Sequence, residues 1–214
     1  MADPITVWGT GTPRTLRVYW ALEELSITYQ SIVIRTRTED MDRADFLAVS
    51  PGKKIPAIEH QQMKLSESGA IVSFLYAKFA GASGDTHFEA EVARWTHFTL
   101  MELDATALYV MRRHRDLPNI YGAAPAAVTC GAEYFDRQAL VVSQALADGR
   151  QFVAGDVFSP ADIHLNTCCA WALAYELTLP EILAEYHQRI SARSAFKAAL
   201  EANKPSGITP TVAN

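Results

Sequence analysis

The stretch IPAIEHQQMKLSESGAI, residues 55–71, decides the fold of this 214-residue chain. Residues 55–59 are largely apolar and begin with an Ile-Pro step, which predicts a strand, and residues 63–65 predict another. Only residues 60–62 separate the two runs, so we expect them to pair as an antiparallel hairpin. A helical pattern then covers residues 66–79. The stretch therefore predicts a hairpin that leads directly into a helix.

The residues before this stretch alternate strand and helix signals. Residues 5–8 predict a short strand, closed by the turn-forming residues 9–13, and apolar positions with a period near 3.6 predict a helix after it. Residues 29–34 predict a second strand, and a short helix ends near Val49. The order is strand, helix, strand, helix, strand, strand, helix. Because a helix connects the first two strands, we expect that pair to be parallel.

The small residues at 81–85 mark the best domain boundary. We predict a first domain over residues 1–80, a linker over 81–87 and an all-helical domain over 88–214. The helical patterns of the second domain cover residues 88–115, 124–148, 160–177, 180–186 and 191–202. The tail, residues 204–214, predicts an extended arm. Ser159 and Asp162 form a capping-box pattern at the start of one of these helices.

The composition excludes several classes of protein. Apolar residues make up 49% of the chain and the formal net charge is −5, which is typical of a globular protein. No basic cluster occurs, so we expect neither nucleic-acid nor membrane binding. The longest apolar run, residues 168–175, is far shorter than the ~20 residues that span a bilayer. Residues 1–4 show no signal-peptide pattern.

The three cysteines do not form a disulfide framework. Cys130 stands alone, and Cys168 and Cys169 are adjacent within an apolar segment. No Cys/His spacing suits zinc, so the sequence predicts no metal site. Buried thiols of this kind are typical of a reducing compartment, and we expect a cytoplasmic protein.

Pro56 stands at the head of an apolar strand. A trans proline at this place would only remove one hydrogen bond from the sheet. A cis proline would instead turn the backbone of Ile55 outward, so that its N–H and C=O could pair with an extended peptide ligand. Only ~5% of X-Pro bonds are cis, so the functional interpretation depends on the surrounding motifs.

An acidic and hydroxyl-bearing segment stands where the helix after the hairpin begins. Glu67 and Ser68 occupy this start. Free N–H groups at a helix N-terminus bind carboxylates, and an adjacent glutamate suits an ammonium group. Together they suit the zwitterion of an α-amino acid. An ordinary helix cap is the alternative interpretation.

These features resemble the cytosolic glutathione transferase family. The resemblance rests on the order of elements, the Ile55-Pro56 step, the ESGAI signature at residues 67–71 and the all-helical second half, and it covers residues 4–203. It implies an α/β thioredoxin-like N-terminal domain that binds glutathione as co-substrate. It also implies an all-α C-terminal domain that shapes the pocket for an electrophile.

The resemblance assigns the glutathione-binding residues. Glu67 and Ser68 match the positions that hold the γ-glutamyl group, and Ile55 before Pro56 matches the residue whose backbone pairs with the cysteinyl unit. Residues 50–57, SPGKKIPA, resemble the family's Asn-Pro-x-Gly-Lys-Val-Pro-Ala pattern.

Two lysines of this pattern compete for one role. Lys54 falls where a basic or amide side chain meets the glycyl carboxylate of glutathione. The order of residues is shifted from the family pattern, so Lys53 is an alternative. The alternative interpretation is that both lysines are solvated side chains of a loop without a binding role.

The resemblance also assigns the group that holds the sulfur. Residues 12–18, TPRTLRV, resemble the serine-type pattern Ser-Pro-x-x-x-Arg-Val. Thr12 then takes the hydroxyl position and donates a hydrogen bond to the thiolate, with Arg14 assisting by its charge. Thr10 and Thr15 are rivals for the hydroxyl role, and a plain helix cap is the alternative interpretation of Thr12.

The pocket for the electrophile is assigned to the first long helix of the second domain. Tyr109, Arg112 and Arg113 lie on it within one and a half turns of His114. An Arg-Arg-His run is unusual beside an apolar site and suits a carboxylate-bearing substrate. A solvated helix end is the alternative interpretation.

The predicted function is that of a glutathione transferase, which activates the thiol of glutathione for attack on an electrophilic, mostly apolar substrate. A glutathione-binding protein without turnover and a glutathione-dependent isomerase or peroxidase remain alternatives. Trp8 stands near the place of a catalytic tyrosine but lacks a hydroxyl, and residues 1–80 contain no cysteine, which argues against cysteine-type members. Family members pair, so a homodimer is expected through apolar residues such as Phe98, Met101 and Leu108.

Overall fold

The computed structural model describes residues 4–81 and 83–205, which form two compact units. Within this range the first unit joins residues 4–81 with residues 192–205, and the second unit covers residues 83–191. This division differs from the expected domains at the C-terminal end, because the last helix groups with the first unit. Most of the expected extended arm lies outside the described residues.

The first unit contains a four-stranded mixed sheet. Its strands are β1 (Ile5–Trp8), β2 (Tyr29–Ile32), β3 (Ala57–His60) and β4 (Met63–Ser66), in the spatial order β2-β1-β3-β4. β1 and β2 are parallel, and β1–β3 and β3–β4 are antiparallel. The predicted parallel pair and hairpin are both confirmed, and the arrangement is the thioredoxin-like fold expected from the resemblance.

Three helices accompany the sheet within its own stretch of chain. They are α1 (Pro13–Glu24), α2 (Ala44–Val49) and α3 (Ser68–Leu75), which continues as a π-helical turn over Tyr76–Ala80. Every residue of α1 from 15 to 22 is buried, because the helix packs against α3 and against the last described helix of the chain, and its Tyr19 ring contacts that of Tyr29 in β2.

The second unit is helical, as predicted. Its helices are α4 (Thr86–Phe98), α5 (Tyr109–Arg115), α6 (Pro118–Tyr121), α7 (Pro125–Leu146), α8 (Pro160–Ala174) and α9 (Glu181–Ser191). A π-helical stretch, Thr99–Leu108, joins α4 to α5, so the predicted long helix at residues 88–115 runs through without a break. The core lies along α8, where residues 160–169 are all buried.

The last helix, α10 (Ser194–Ala202), packs against α1 in the first unit. The rings of Trp20 and Phe196 lie 4.6 Å apart, and Arg193 forms an ion pair with Glu24 at 2.6 Å. An aromatic contact and an ion pair therefore fix α10 to the first unit.

The predicted capping box at Ser159 and Asp162 is confirmed. The fully buried Asp162 carboxylate accepts hydrogen bonds from the backbone N–H groups of Val153 and Ser159, both at 2.8 Å. It also accepts from the Tyr186 hydroxyl at 2.7 Å and from the Ser159 hydroxyl at 3.0 Å. Burial raises the pKa of Asp162, and these hydrogen bonds oppose that rise. Asp162 thus connects the start of α8 to the preceding loop and to α9.

Residues 4–81 and 83–205 contain no helix that is both long and apolar enough to cross a membrane. They also contain no group of three or more His, Cys, Asp and Glu side chains that could hold a metal ion. All three cysteines are free thiols; Cys168 and Cys169 are buried, and burial raises the pKa of the Cys169 thiol.

Candidate functional site

The register of the sheet brings three chain segments to one edge. Trp8 at the end of β1 pairs with Ala57 at the start of β3, and Ala57 pairs with Ser66 at the end of β4. The residues after β1, before β3 and after β4 therefore lie side by side. These segments carry Thr12, Ile55 and Glu67, so the sheet itself brings together the main predicted site residues.

Thr12 caps the N-terminus of α1. Its hydroxyl oxygen accepts the Thr15 N–H at 3.0 Å, and the Thr15 hydroxyl oxygen accepts the Thr12 N–H at 2.9 Å. This reciprocal pair is a capping box, and Pro13 in the first turn fits a helix start. The structural interpretation of Thr12 as a cap is therefore confirmed. A helix N-terminus also carries partial positive charge, which favours an anion beside it.

The cap leaves the Thr12 hydroxyl a proton to donate. A hydroxyl that accepts one N–H keeps its own O–H for another partner. Thr15 Oγ1 lies 3.0 Å from Thr12 Oγ1, but the Thr15 hydroxyl has nearer acceptors in Asn203 Oδ1 at 2.6 Å and the Thr12 carbonyl at 2.9 Å. Thr12 is half-buried. Capping and donation to a ligand are therefore compatible roles.

The other residues that could contact the sulfur of glutathione differ from Thr12 in their surroundings. The Thr10 side chain is 7% exposed, and its hydroxyl has no hydrogen-bond partner among the described residues. The Thr15 hydroxyl is committed to the contacts just given. Arg14 is half-buried in the first turn of α1. The Trp8 indole N–H donates to Glu59 Oε2 at 2.9 Å, so this donor is already used.

The Ile55–Pro56 peptide bond is cis, as the functional interpretation required. Neither the N–H nor the carbonyl of Ile55 forms a backbone hydrogen bond within the described part of the chain. An extended ligand can therefore pair with both groups. Gly9 approaches Ile55 closely: a Cβ atom built on Gly9 would lie 2.5 Å from the Ile55 Cβ, and Gly9 has a φ of +101°.

Replacing Gly9 with alanine is expected to lower the free energy of unfolding by roughly 1–3 kcal/mol, because the added methyl overlaps Ile55 and the backbone cannot shift freely. Gly81→Ala is the matched control. Gly81 has a similar φ of +81°, but no atom lies within 4 Å of the position its Cβ would take. Urea unfolding of both variants measures the difference. Equal losses would show that backbone strain alone, and not the contact with Ile55, constrains this position.

Glu67 has an unusual backbone at the start of α3. Its φ is +69° and its ψ is 113°, and its side chain is exposed and makes no capping hydrogen bond. The ordinary-cap interpretation therefore fails for Glu67, and backbone conformations of this kind cluster at functional sites. Ser68 beside it is buried, and its hydroxyl accepts from the buried Arg17 at 3.5 Å.

The two candidate lysines, Lys53 and Lys54, differ in their ion pairing. The Ser50 hydroxyl donates to the Lys54 carbonyl at 2.8 Å, which fixes the loop that carries both. Lys53 has a positive φ of +51° and forms an ion pair with Asp42. Lys54 is exposed and forms no ion pair in the part of the chain that the structure describes. Lys54 is therefore the better partner for a ligand carboxylate.

The basic end of α5 is packed on aromatic rings. The Arg113 guanidinium lies 4.8 Å from the ring centre of Tyr109 and 5.3 Å from that of Tyr121, and the Arg112 guanidinium lies 6.0 Å from that of Trp171. Stacking of this kind holds a guanidinium plane in place while its edge stays able to donate. The arrangement fits both a structural and a ligand-binding role.

A cavity of about 570 Å³ lies at the far ends of β3 and α3 from Thr12 and Ile55. Its lining consists of His60, Gln61, Gln62, Met63, Phe74 and Lys78. None of the predicted glutathione-binding residues contributes to it, so this cavity is separate from the candidate site.

Sequence reasoning missed Asn203, which follows α10. Its side-chain oxygen accepts the Gly11 N–H at 3.0 Å, and its side-chain nitrogen donates to the Thr12 carbonyl at 3.1 Å. No local sequence pattern could have shown this contact, because about 190 residues separate Asn203 from Gly11 and Thr12.

A thioredoxin-like sheet with a cis-proline beside a helix N-terminus, together with a helical second unit, defines the class of two-part thioredoxin-fold proteins. Comparison with known proteins narrows the class. Residues 3–76 match the family described as the N-terminal domain of glutathione S-transferase. The match identifies residues 3–76 as a domain similar to the N-terminal domain of that family.

The chain is also similar to curated relatives and to a solved structure. The chain is 33% identical over 102 residues to the glutathione S-transferase-like protein gedE of Aspergillus terreus, and the match spans 44% of each chain. It is 25% identical to the disulfide-bond oxidoreductase YfcG of Escherichia coli, over 92% of this chain and 94% of YfcG. A glutathione transferase family member from Pseudomonas fluorescens, crystallised with two glutathione bound, superposes with a TM-score of 0.82 at 23% identity, over 93% of each chain. The last likeness concerns the fold.

Proposed function

We propose that this protein is a cytoplasmic glutathione transferase that conjugates glutathione to electrophilic, mostly apolar substrates, as in detoxification. The observation that carries the proposal is the convergence of the Thr12 loop, the Ile55 backbone and the Glu67 helix start at one sheet edge. The three segments offer a hydroxyl donor, a free peptide group and a carboxylate beside a helix N-terminus. Glutathione has a thiol, an extended peptide and a zwitterionic γ-glutamyl end to match them.

Each part of glutathione then has a partner. The Glu67 carboxylate pairs with the γ-glutamyl ammonium, and the N–H groups at the start of α3, with Ser68, receive the γ-glutamyl carboxylate. The peptide group of Ile55, held by the cis bond to Pro56, pairs with the cysteinyl unit. Lys54 meets the glycyl carboxylate, because Lys53 is held by Asp42.

The chemistry depends on the thiolate. A free thiol has a pKa of ~8.5, so most of it is protonated at neutral pH. The Thr12 hydroxyl donates a hydrogen bond to the sulfur and Arg14 adds positive charge, and both favour the anion. The thiol proton leaves to solvent. The sulfur lone pair then forms a C–S bond to the electrophilic carbon. With a halide, the leaving group departs with the electrons of its bond; with an epoxide or an enone, the C–O bond or the C=C π bond breaks instead, and the resulting anion takes a proton from solvent.

The second unit supplies the electrophile contacts in this proposal. Tyr109, Arg112 and Arg113 on α5 are the residues we assign to them. The ring stacking of Arg112 and Arg113 supports the assignment, because it holds both guanidinium groups in fixed orientations.

Two measurements test the function as a whole. Ultraviolet difference absorbance of the bound thiolate should show that glutathione ionises more readily on the protein than in water. A panel of aryl halides, epoxides and enones should then yield conjugates. A thiolate signal without any conjugate would favour a binding protein or another glutathione chemistry. No thiolate signal and no binding would refute the proposal.

Disulfide reduction is the second candidate, because YfcG, a relative over 92% of this chain, is named a disulfide-bond oxidoreductase. In that reaction the glutathione thiolate attacks a disulfide sulfur, forms a mixed disulfide and releases the other sulfur as a thiolate. The first unit contributes no cysteine among residues 1–80, so glutathione itself would be the nucleophile. Turnover of a small aromatic disulfide in the same panel, without conjugation, would favour this candidate.

Glu67→Ala is expected to weaken glutathione binding by about tenfold to a hundredfold, the effect of losing one charge-assisted hydrogen bond. The fold should be unaffected, because the Glu67 side chain makes no capping hydrogen bond. Calorimetric titration measures the affinity. Glu39→Ala is the control, since Glu39 is an exposed carboxylate of the same unit. Equal affinities for the Glu67 variant and the parent would remove Glu67 from the site.

We also propose a homodimer. Of the three apolar residues considered for the interface, Leu108 is buried within its unit and Phe98 is half-buried, whereas Met101 is 58% exposed. Sedimentation should give a mass of about 47 kDa, twice the 23.6 kDa of one chain. Met101→Glu should shift the equilibrium toward single chains, because it places a charge in an apolar contact. A mass near that of one chain for the parent at micromolar concentration would contradict the dimer.

A further inference from the structure

We infer that Asn203 is a positioning residue for Thr12: its carboxamide holds the loop that aims the Thr12 hydroxyl at the sulfur of glutathione. The inference rests on the proposed role of Thr12. Asn203 touches neither glutathione nor the reacting atoms in this proposal, and it acts only through the loop.

The carboxamide binds the loop on both sides of Thr12. Asn203 Oδ1 accepts the Gly11 N–H at 3.0 Å, and Asn203 Nδ2 donates to the Thr12 carbonyl at 3.1 Å. The Asn203 carbonyl accepts the same Gly11 N–H at 2.8 Å. One side chain therefore fixes the Thr10–Gly11 and Thr12–Pro13 peptide groups, which enclose the Gly11-Thr12 step.

The loop of residues 9–12 needs such a contact because its two glycines give its backbone many accessible conformations. Gly9 and Gly11 flank Thr10, and their φ values are +101° and +78°. Glycine has more accessible backbone conformations than any other residue, so a loop with two glycines loses more entropy when it is ordered. The Asn203 hydrogen bonds stabilise the one loop conformation in which Thr12 caps α1.

Asn203 also sets the direction of a hydroxyl proton. Thr15 Oγ1 lies 2.6 Å from Asn203 Oδ1, and an amide oxygen only accepts, so the Thr15 hydroxyl donates to it. A Thr15 proton directed at Asn203 is not donated to Thr12. The Thr12 oxygen then accepts only the Thr15 N–H, and the Thr12 hydroxyl is the donor of the 3.0 Å contact with Thr15 Oγ1 until a bound sulfur takes that proton instead.

The packing of α10 on α1 does not depend on the Asn203 side chain. α10 is held on α1 by the stacking of Trp20 with Phe196 and by the ion pair of Glu24 with Arg193. Removal of the Asn203 carboxamide therefore leaves α10 in place and frees only the loop. This separation makes the role testable in the folded protein.

The test compares the parent chain with Asn203→Ala, Asn203→Asp, Thr12→Val and the control Lys204→Ala. Lys204 is the next residue along, and its ammonium pairs with the exposed Glu201, away from the loop. For each variant the glutathione affinity, the kcat of conjugation and the apparent pKa of the bound thiol are measured, the last by thiolate absorbance across pH.

Asn203→Ala is expected to lower kcat about tenfold and to raise the apparent thiol pKa by about one, while the glutathione affinity changes less than threefold. Lys204→Ala should match the parent. Asn203→Asp keeps the two hydrogen bonds that Oδ1 accepts from Gly11 and Thr15 and replaces the Nδ2 donor to the Thr12 carbonyl with an oxygen, so it serves if the alanine variant does not fold. Its carboxylate, two hydrogen bonds from the Thr12 hydroxyl oxygen, should also raise the thiol pKa.

The outcomes separate the inference from the proposed function. If Thr12→Val raises the thiol pKa and neither Asn203 variant does, Asn203 only anchors α10 and the inference is wrong. If Thr12→Val itself has no effect, the role of Thr12 is wrong, and the inference falls with it. A loss of glutathione affinity equal to the loss of kcat would also overturn it, because it would show a collapsed site.

Discussion

Replacing Asp162 with alanine is expected to lower the free energy of unfolding of the second unit by roughly 3–5 kcal/mol. The fully buried carboxylate is the acceptor for two backbone N–H groups, the Ser159 hydroxyl and the Tyr186 hydroxyl. Alanine leaves these donors buried without an acceptor, and each unsatisfied donor costs about 1–3 kcal/mol. The cost falls on folding, because no step of the proposed reaction uses Asp162.

Amide hydrogen exchange measures the loss of stability in α8, the helix that Asp162 caps. Because the chain has two units, its global unfolding need not be two-state, so the amides of α8 are the appropriate probe. Their opening free energy should fall in Asp162→Ala and stay within about 0.5 kcal/mol of the parent in Asp136→Ala. Asp136 is an exposed aspartate on α7. If α8 keeps its full protection in Asp162→Ala, the network around this carboxylate does not stabilise the unit.

The features that the sequence predicted well are those that depend on short stretches of chain. The Asp162 capping box occupies four residues, and the β3–β4 hairpin is closed by two residues. The parallel pairing of β1 and β2 follows from the single helix between them. In each case the residues that interact are close in sequence, so a local pattern contains the information.

The features that the sequence missed depend on distant contacts. The grouping of α10 with the first unit follows from the pairing of Arg193 with Glu24, which lie 169 residues apart. The same holds for Asn203 at the Thr12 loop. Gly9 is a glycine because Ile55 leaves no room for a side chain, and turn chemistry alone does not show that contact. Tertiary packing decides all three.

The choice between Lys53 and Lys54 shows the same limit at the candidate site. The family pattern at residues 50–57 is shifted here, so the sequence leaves both lysines as candidates. Only the fold brings Asp42 to Lys53, which leaves Lys54 as the lysine proposed for the ligand. The sequence thus predicts a cation for a ligand carboxylate in this loop, and the structure favours Lys54 as the candidate because Lys53 is paired with Asp42.

Replacing Thr12 with valine is expected to slow conjugation by about tenfold to a hundredfold while glutathione affinity changes less. Valine keeps the shape of threonine and removes the donor, and one hydrogen bond to a charged group is worth about 1.5–3 kcal/mol. The loss appears in the rate because the thiolate is the reacting form. The apparent pKa of the bound thiol should rise by about one to two, since one such step corresponds to about 1.4 kcal/mol. Thr12→Ser should retain most of the activity.

The cap at Thr12 requires a control for folding. Valine also loses the acceptor for the Thr15 N–H, which costs about 1 kcal/mol of stability, so rates are compared well below the melting temperature of each variant. The pH dependence of kcat at saturating glutathione decides the assignment. If Thr12→Val leaves the thiol pKa and the rate unchanged while Thr10→Val or Arg14→Ala raises that pKa, the sulfur is held by that residue instead. If none of the three variants has an effect, the enzyme proposal weakens and a glutathione-binding protein without turnover becomes the better account.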